Sequence, residues 1–202
     1  MSAELKQVEA ALAHDLNNVL QVIMGNLELL KRRGELVPEI VDAALQATRT
    51  AAALADRAGA IGRLRRYEAR SMDLNRLLAE LAPLLERTVG DAIRVEIKLA
   101  STLPAIVADP HALQLALVEL ATNARFAMPA GGRLSVETSR ADDDFIRVDM
   151  ADTGCGMPPT TGEPTGLGLQ IVRQCMALAH GRAEFKSTHM GTTVKLYLPV
   201  AK

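Results

Sequence analysis

The chain has 202 residues, which is enough for one ordinary domain or two small ones. Apolar residues make up 49% but aromatic residues only 2%, so the hydrophobic core must be built from aliphatic side chains. The formal net charge of −1 argues against the basic surface that nucleic-acid binding requires, and no apolar run approaches the roughly 20 residues that span a bilayer.

Two amphipathic helices are predicted at the N-terminus. Apolar residues recur at steps of three and four from Leu5 to Leu30, which makes a one-sided stripe. Gly34 suits a helix end, and Pro38 suits the first turn of an alanine-rich second helix that is predicted to reach about Glu68. Because a two-helix hairpin cannot bury both its faces alone, we expect two copies to form a homodimeric four-helix bundle.

A mixed pattern follows from about Ser71. A helix interrupted or kinked at Pro83 precedes alternating segments typical of strands, and a helix that starts at Asp109 or Pro110 follows them. Two further strands, a helix entered through glycines and a closing hairpin with a turn at 189–191 complete the chain. This order predicts an α+β sandwich, a mixed sheet with helices on one face. We expect two domains, residues 1–70 and 71–202.

The segment "AHDLNN" (13–18) is the first candidate site. His14 lies about 200° around the helix from Leu12 and Leu16, so it faces away from the apolar stripe, and Asn18 shares its face. A neutral imidazole nitrogen can attack a phosphoryl group, and Asp15 can hold the ring from the side. An exposed histidine without a role remains the alternative for this segment by itself.

Three further segments suggest a nucleotide site. In "ELATNARFAM", Glu119 and Asn123 are one helical turn apart, and Asn123 suits Mg²⁺ because it adds no charge beside phosphates. "DTGCGM" follows a strand, so Asp152 can accept from an adenine amino group. "GLGL" (166–169) opens a helix whose free N–H groups favour phosphate. Taken alone, Asn123 is better explained as a surface residue, and a tight turn explains either glycine loop just as well.

Taken in order, the four motifs resemble those of the sensor histidine kinases of two-component systems. "AHDLNNVLQVIMGNLELL" is similar to the phosphoacceptor box that reads His-Asp-Phe-Asn-Asn, with Leu16 in place of the Phe. "ELATNARFAMPAGGRLSVET" resembles the N box, and "DTGCGM" and "GLGLQIV" resemble the two G boxes. The resemblance covers the chain from about Glu4 to Pro199. It implies a dimeric helical phosphotransfer domain followed by an ATP-binding domain of the Bergerat or GHKL type.

The resemblance implies a role for each matching residue. His14 is the implied phosphoacceptor, Asp15 its acid–base partner, and Asn18 the residue that positions water in the reverse, phosphatase reaction. Asn123 is the implied Mg²⁺ ligand, and Asp152 the implied adenine contact. ATP is the implied phosphoryl donor, and the receiver domain of a response regulator the implied acceptor. The other implied nucleotide contacts lie in the glycine loops: Gly154, Gly156, Gly166, Leu167 and Gly168.

The segment between the two G boxes departs from the family pattern. Only "PPTTGEPT" (158–165) separates Met157 from Gly166, so the usual aromatic box and long lid are missing. The single charge in this segment is Glu163, which has the wrong sign beside a triphosphate. Because phosphoryl transfer relies on positioning and on cations at the γ-phosphate, we expect ATP to bind more weakly than in a kinase with a lid.

Two residues of the N box also differ from the family pattern. Glu119 stands where the family usually has Asn, and it is expected either to ligand Mg²⁺ or to act as a base, as in related ATPases of the same fold. Phe126 replaces an acidic residue, and we expect it to pack against the sheet.

Three functions remain open on this evidence. The first is an ATP-dependent protein-histidine kinase that phosphorylates itself on His14. The second is a histidine phosphotransferase that relays phosphate between receiver domains without ATP. The third is an ATPase of the same fold with Glu119 as base.

Receiver binding is expected on the face of His14, Asn18 and Gln21, with the lower part of the second helix. The two cysteines without metal-ligand spacing and the charged N-terminus lead us to expect a cytoplasmic protein.

Overall fold

The computed structural model describes residues 3–64, 66–157 and 166–201, without the side chains of 3–9, 56, 60 and 63. The chain divides into two compact units, Met1–Arg66 and Tyr67–Lys202. In the part of the chain that is described, no helix combines the length and the apolarity that crossing a membrane requires.

The first unit is a helical hairpin. Helix α1 (Ala3–Arg33) and helix α2 (Pro38–Leu64) pack against each other and are joined by residues 34–37. Gly34 ends α1 with a φ of 71°, and its N–H donates to the Leu30 carbonyl. Helix α2 ends at Leu64 and does not continue to Glu68 as the sequence suggested.

The buried residues of the hairpin include both large and small side chains. Leu12 of α1 and Leu54 of α2 are buried, and so are Ala44 and Ala47, whose small side chains let the helices approach closely. A second set of apolar residues on α1 is exposed: Leu20, Met24 and Leu27 lie at i, i+4 and i+7, which makes a separate stripe.

The second unit is an α+β sandwich. Its seven strands are β1 (Arg70–Met72), β2 (Ile93–Lys98), β3 (Ile106–Ala108), β4 (Gly132–Arg140), β5 (Phe145–Asp152), β6 (Arg182–Thr188) and β7 (Gly191–Pro199). Five of them form one sheet in the order β2-β4-β5-β7-β6, where β2 is parallel to β4 and the other pairs are antiparallel. Strands β1 and β3 form a separate antiparallel pair.

Three helices cover one face of this sheet: α3 (Leu74–Val89), α4 (Pro110–Ala127) and α5 (Leu167–Leu178). Helix α4 contacts α3 on one side and α5 on the other, and it lies over β5. The predicted mixed sheet with helices on one face is therefore confirmed.

The core of this unit is aliphatic, as the composition requires. Inward-facing side chains meet across the sheet in register, with Val136 opposite Met150 and Val148 opposite Leu196. All four are fully or almost fully buried. Each contributes about 1.5 to 3 kcal/mol by leaving water.

Two local features differ from the expectations. Strand β1 was not predicted, because three residues are too few to show an alternating pattern. Helix α3 runs without a break through Pro83. Pro83 and Ala79, whose carbonyl loses its intrahelical donor, are both exposed, so water can solvate that carbonyl.

Candidate functional site

The His14 side chain projects from the exposed side of α1. It is 73% exposed, whereas Leu12 is buried and Leu16 is half-buried, as the helical spacing predicts. Its Nδ1 atom lies 3.4 Å from Oδ1 of Asp15 and 3.3 Å from Nδ2 of Asn18. The three residues of the first motif therefore meet at one ring nitrogen, and within the described residues no hydrogen bond reaches Nε2.

The contacts to Asp15 and Asn18 require different tautomers of the imidazole. A carboxylate only accepts, so a hydrogen bond to Asp15 places the proton on Nδ1 and the lone pair on Nε2. The amide nitrogen of Asn18 only donates, so a hydrogen bond from it places the lone pair on Nδ1 and the proton on Nε2. Asp15 therefore favours a nucleophilic Nε2 and Asn18 opposes it.

Asp152 ends β5 in the second unit, with its carboxylate fixed by two backbone donors. Oδ1 accepts from the N–H of Gly154 at 2.9 Å and from the N–H of Thr192 at 3.2 Å. Among the described residues, no hydrogen bond reaches Oδ2. The carboxylate is thus held in one orientation with an oxygen left to accept from a ligand.

The two glycines after Asp152 are required by contacts within the protein. A Cβ on Gly154 would lie 2.6 Å from the carbonyl oxygen of Ala127, and the N–H of Cys155 donates to that oxygen. Gly156 has a φ of 75°, and a Cβ there would lie 2.0 Å from the carbonyl oxygen of Thr188. The first G box is therefore a loop pressed between the end of α4 and the end of β6.

A cavity of about 310 Å³ opens beside this loop. Asn123 of α4 and Asp152 at the end of β5 both line it. The remaining lining is mostly apolar and includes Leu120, Ala127, Leu134, Met150, Met157, Leu169 and Val194. Such a cavity, apolar with a few polar groups that fix orientation, is typical of small-molecule sites.

Glu119 and Asn123 lie against the first turn of α5. A Cβ on Gly168 would be 2.8 Å from Oε2 of Glu119 and 3.3 Å from Nδ2 of Asn123. Glu119 is only 3% exposed, and its negative charge affects the pKa of the Cys175 thiol. Burial, followed by the charges of Glu119 and Asp109, raises the pKa of the Cys175 thiol to about 12. A buried carboxylate and an amide therefore face the start of α5.

The residues at this end of the cavity fit a phosphate chain with Mg²⁺. Helix α5 begins after Gly166, which supplies no side-chain cap, so its first N–H groups can donate to phosphate oxygens. Nδ2 of Asn123 is buried and has no hydrogen-bond partner in the described parts of the chain. Those parts also contain no cluster of three acidic, His or Cys side chains. Mg²⁺ is commonly held by one or two protein oxygens and by substrate phosphates, so the donor set fits this ion.

Only some of the residues that are predicted to bind the nucleotide line the cavity. Asn123, Asp152 and Gly156 line the cavity. The others lie behind its wall or at the start of α5: Gly154, Gly166, Leu167 and Gly168. Residues 158–165, on which the expectation of a missing lid falls, lie outside the described residues.

One expectation about the N box is wrong, and other site residues were not foreseen. Phe126 does not pack against the sheet: it is 75% exposed and lines the cavity near the end of α4. Thr192 and Cys155 also line the cavity. Thr192 reaches Asp152 only because β7 pairs with β5, and this long-range pairing leaves no local signal in the sequence.

Comparison with known proteins places this site in a family. Residues 108–202 match the family described as histidine kinase-, DNA gyrase B- and HSP90-like ATPases. The chain is 31% identical to the sensor kinase CckA of Brucella abortus, over 96% of this chain and 24% of that protein. It is 26% identical to the sensory histidine kinase/phosphatase NtrB of Salmonella typhimurium, over 95% of this chain and 61% of that protein.

Solved structures share the fold along nearly the whole chain. The histidine kinase ThkA, in a complex with the response regulator protein TrrA, superposes with a TM-score of 0.74. It has 19% identity, and the match covers 98% of this chain and 62% of that one. The Acinetobacter baumannii histidine kinase AdeS gives a TM-score of 0.72 at 16% identity, over 94% and 98% of the two chains.

The fold and the site define an ATP-binding domain of the GHKL class, preceded by a helical hairpin that carries an exposed histidine. Because the curated relatives match nearly the whole of this chain, the chain belongs to the histidine kinases of two-component systems as a kinase core with a GHKL ATP-binding domain. It spans about a quarter to three fifths of the length of the two curated relatives.

Proposed function

We propose that the protein is a histidine kinase core that uses ATP to phosphorylate itself on His14 and then transfers the phosphoryl group to an aspartate of a receiver domain. The observation that carries the proposal is the cavity that is lined both by Asp152 from the end of β5 and by Asn123 from α4. This arrangement suits an adenine ring at Asp152 and phosphates at Asn123. The exposed His14 supplies a nucleophile whose Nε2 accepts and donates no hydrogen bond within the described residues.

The proposed reaction is a transfer between two nucleophiles. Nε2 of His14 attacks the γ-phosphorus, a bond from nitrogen to phosphorus forms, and the bond to the oxygen of the leaving ADP breaks. Asp15 accepts a hydrogen bond from Nδ1–H, which keeps the lone pair on Nε2, and it takes up the Nδ1 proton as the N–P bond forms and returns it when the phosphoryl group leaves. The aspartate of the receiver domain then accepts the phosphoryl group, which restores the neutral imidazole.

Asn123 and Glu119 are the proposed protein ligands for Mg²⁺, either directly or through water. When bound, the ion supplies positive charge to the phosphate oxygens as the leaving group departs. Gly168 keeps the start of α5 close to both side chains, and the N–H groups of Leu167 and Gly168 can donate to phosphate. Gly154, Gly156 and Gly166 shape the loops on the two sides.

The hairpin is the proposed dimerisation and phosphotransfer domain. Leu20, Met24 and Leu27 form an exposed apolar stripe on α1, which a second copy of the hairpin can bury. The receiver domain is proposed to bind the other face of α1, at His14, Asn18 and Gln21 with the lower part of α2. Val22 adds an exposed apolar side chain to this second face. The histidine kinase ThkA, which has this fold, was solved with its response regulator.

Incubation of the purified protein with γ-labelled ATP and Mg²⁺ tests the proposal. We expect acid-labile label on the wild-type chain, none on His14→Ala, and much less on Asp152→Asn. No label on the wild type, together with transfer from a phosphorylated receiver domain to His14, would identify a phosphotransferase instead. Release of phosphate from ATP by His14→Ala, with no label on the wild type, would identify an ATPase.

Receiver binding has a separate test. Gln21→Arg is expected to weaken the binding of a cognate receiver domain, because it puts a long charged side chain on the proposed face. The same substitution should leave ATP binding unchanged. Unaltered receiver binding by this variant would overturn the placement of the surface.

A further inference from the structure

Phe126 is a large apolar side chain that this fold leaves in contact with water. It is located in the last turn of α4, just before Ala127, and it lines the cavity from the outer side. A phenylalanine that is 75% exposed contributes little to folding stability, because apolar surface that stays in water gains nothing from folding. Because Phe126 is both exposed and part of the cavity lining, it lies at the mouth of the cavity, and among the described residues it gains a surface to cover when the cavity holds a ligand.

The other aromatic residues of the chain already have contacts. Arg182 lies over the rings of Phe145 and Tyr197, and Arg173 lies over the ring of Phe185. The hydroxyl of Tyr67 accepts from the N–H of Asp109. Phe126 is the one aromatic ring for which the described structure gives no such contact, and it is also the one aromatic ring in the cavity wall.

The remainder of the wall is aliphatic and faces a carboxylate that can select a base. Leu120, Leu134, Met150 and Val194 form the inner surface, and Asp152 presents its oxygen there. A flat ring fits such a space with one face against the aliphatic side chains. Its other face is then directed to the mouth, where Phe126 is located.

We propose that Phe126 stacks on the outer face of the nucleotide base and closes the pocket that the aliphatic side chains line. This inference rests on the proposed function, because it requires that the cavity bind a nucleotide. Each base has an aromatic face, so stacking adds affinity with little preference among bases. Asp152 is then the residue that selects adenine, and Phe126 the residue that holds the base in place.

The division of roles predicts two patterns of binding. Phe126→Ala should weaken the binding of ADP and of GDP by a similar factor of about 5 to 30. This factor corresponds to the lower half of the range of affinity that one stacked base contributes. Phe126→Tyr should keep most of the affinity for both. Asp152→Asn should instead reduce the preference of the site for ADP over GDP.

A single-tryptophan variant reports stacking directly. The chain has no tryptophan, so Phe126→Trp introduces the only indole. We expect its fluorescence to fall, and the change to saturate, as ADP is added, and to change little with tripolyphosphate, which has no base. Leu99→Trp is the matched control, because Leu99 is exposed and does not line the cavity. Its emission should not respond to ADP.

Calorimetric titration of the wild type with ADP separates the two proposals. If the wild type binds ADP while Phe126→Ala binds it equally well and Phe126→Trp shows no quenching, stacking is overturned and the nucleotide site stands. If the wild type binds neither ADP nor ATP, the proposed kinase function is overturned, and the stacking proposal with it. Quenching by ADP together with weaker binding by Phe126→Ala supports both.

Discussion

Oε2 of Glu119 lies 2.8 Å from the point where a Cβ on Gly168 would stand. This closeness joins the N box on α4 to the second G box on α5. It means that the glycine at 168 is required by a carboxylate that is buried and has little room to move. The second G box is thus shaped by the same residues that are proposed to hold Mg²⁺.

Gly168→Ala is expected to lower both stability and nucleotide affinity. The added methyl group meets Glu119 and Asn123, and forced packing of this kind costs about 1 to 3 kcal/mol. Displacement of the two side chains should also weaken ATP binding about tenfold or more, since both face the proposed phosphate site. Urea unfolding and calorimetric titration measure the two effects.

Gly166→Ala is the matched control for this prediction. It lies two residues earlier in the same loop, and among the described residues a Cβ there meets nothing within 4 Å. Its φ of −67° suits alanine as well. We expect a change in unfolding free energy below about 1 kcal/mol. If the two variants proved equally unstable, contact with Glu119 would not be the reason for glycine at 168.

Asp15 and Asn18 are expected to have opposite effects on His14. Asp15→Asn removes the carboxylate that can take up the Nδ1 proton and puts in its place an amide that can either accept from Nδ1 or donate to it, so the tautomer with the lone pair on Nε2 is no longer favoured. The rate of autophosphorylation should fall by about 10² or more, the usual effect of losing an acid–base partner. Single-turnover labelling with γ-labelled ATP gives this rate.

Asn18→Ala removes the amide that opposes the nucleophilic tautomer. The forward rate should therefore stay within a few-fold of the wild type, while dephosphorylation of a receiver domain should be lost. A forward rate that falls as far as in Asp15→Asn would refute the assignment of separate tautomers to these two residues.

The sequence predicts the fold well where its signals are local. The hairpin has apolar residues at a period of about 3.6, and β4 and β5 have them at every second position. Both patterns predict that one face is buried, and the structure shows alternating burial along β4 and β5. The N-cap of α4 is also local, because Asp109 accepts from the N–H groups of His111 and Ala112. These features follow from short stretches of chain and need no tertiary information.

The features that the sequence did not predict depend on pairing across the sheet or on a helix end. Thr192 donates to Asp152 from 40 residues away, and β1 exists because β3 lies beside it. The orientation of Phe126 depends on where α4 ends, and helix ends are the least certain part of a sequence-based prediction. The cavity as a whole is formed by α4, β4, β5, α5 and β7 together, so its shape could not be derived from one motif.

Met24→Glu is expected to prevent dimerisation. Met24 is 60% exposed in the stripe with Leu20 and Leu27, and a carboxylate buried there against a second copy would be desolvated without a partner. Analytical ultracentrifugation should show a monomer for this variant and a dimer for the wild type. Val22→Glu is the control: Val22 is similarly exposed, at 53%, but lies about 160° around the helix from Met24. A monomeric Val22→Glu or a dimeric Met24→Glu would show that the interface is elsewhere on the hairpin.

Cys175 is expected to make folding stability depend on alkaline pH. Burial beside Glu119 and Asp109 raises the pKa of its thiol from 9.0 to about 12. The folded protein therefore keeps the thiol neutral where the unfolded chain ionises it. The resulting contribution to stability is complete below the unfolded pKa and is lost progressively as the pH rises from 9.0 towards about 12. At about pH 10.5 the loss from this one group should be about 2 kcal/mol.

Cys175→Ala should remove this part of the pH dependence. Its unfolding free energy is expected to fall less steeply than that of the wild type between about pH 8 and 10.5, although its stability at neutral pH is somewhat lower from lost packing. Cys155→Ala is the matched control because Cys155 is exposed, and it should follow the wild-type curve. Parallel curves for wild type and Cys175→Ala would mean that the thiol at 175 ionises as readily in the folded protein as in the unfolded chain. Its environment beside Glu119 would then be more solvated than its burial implies.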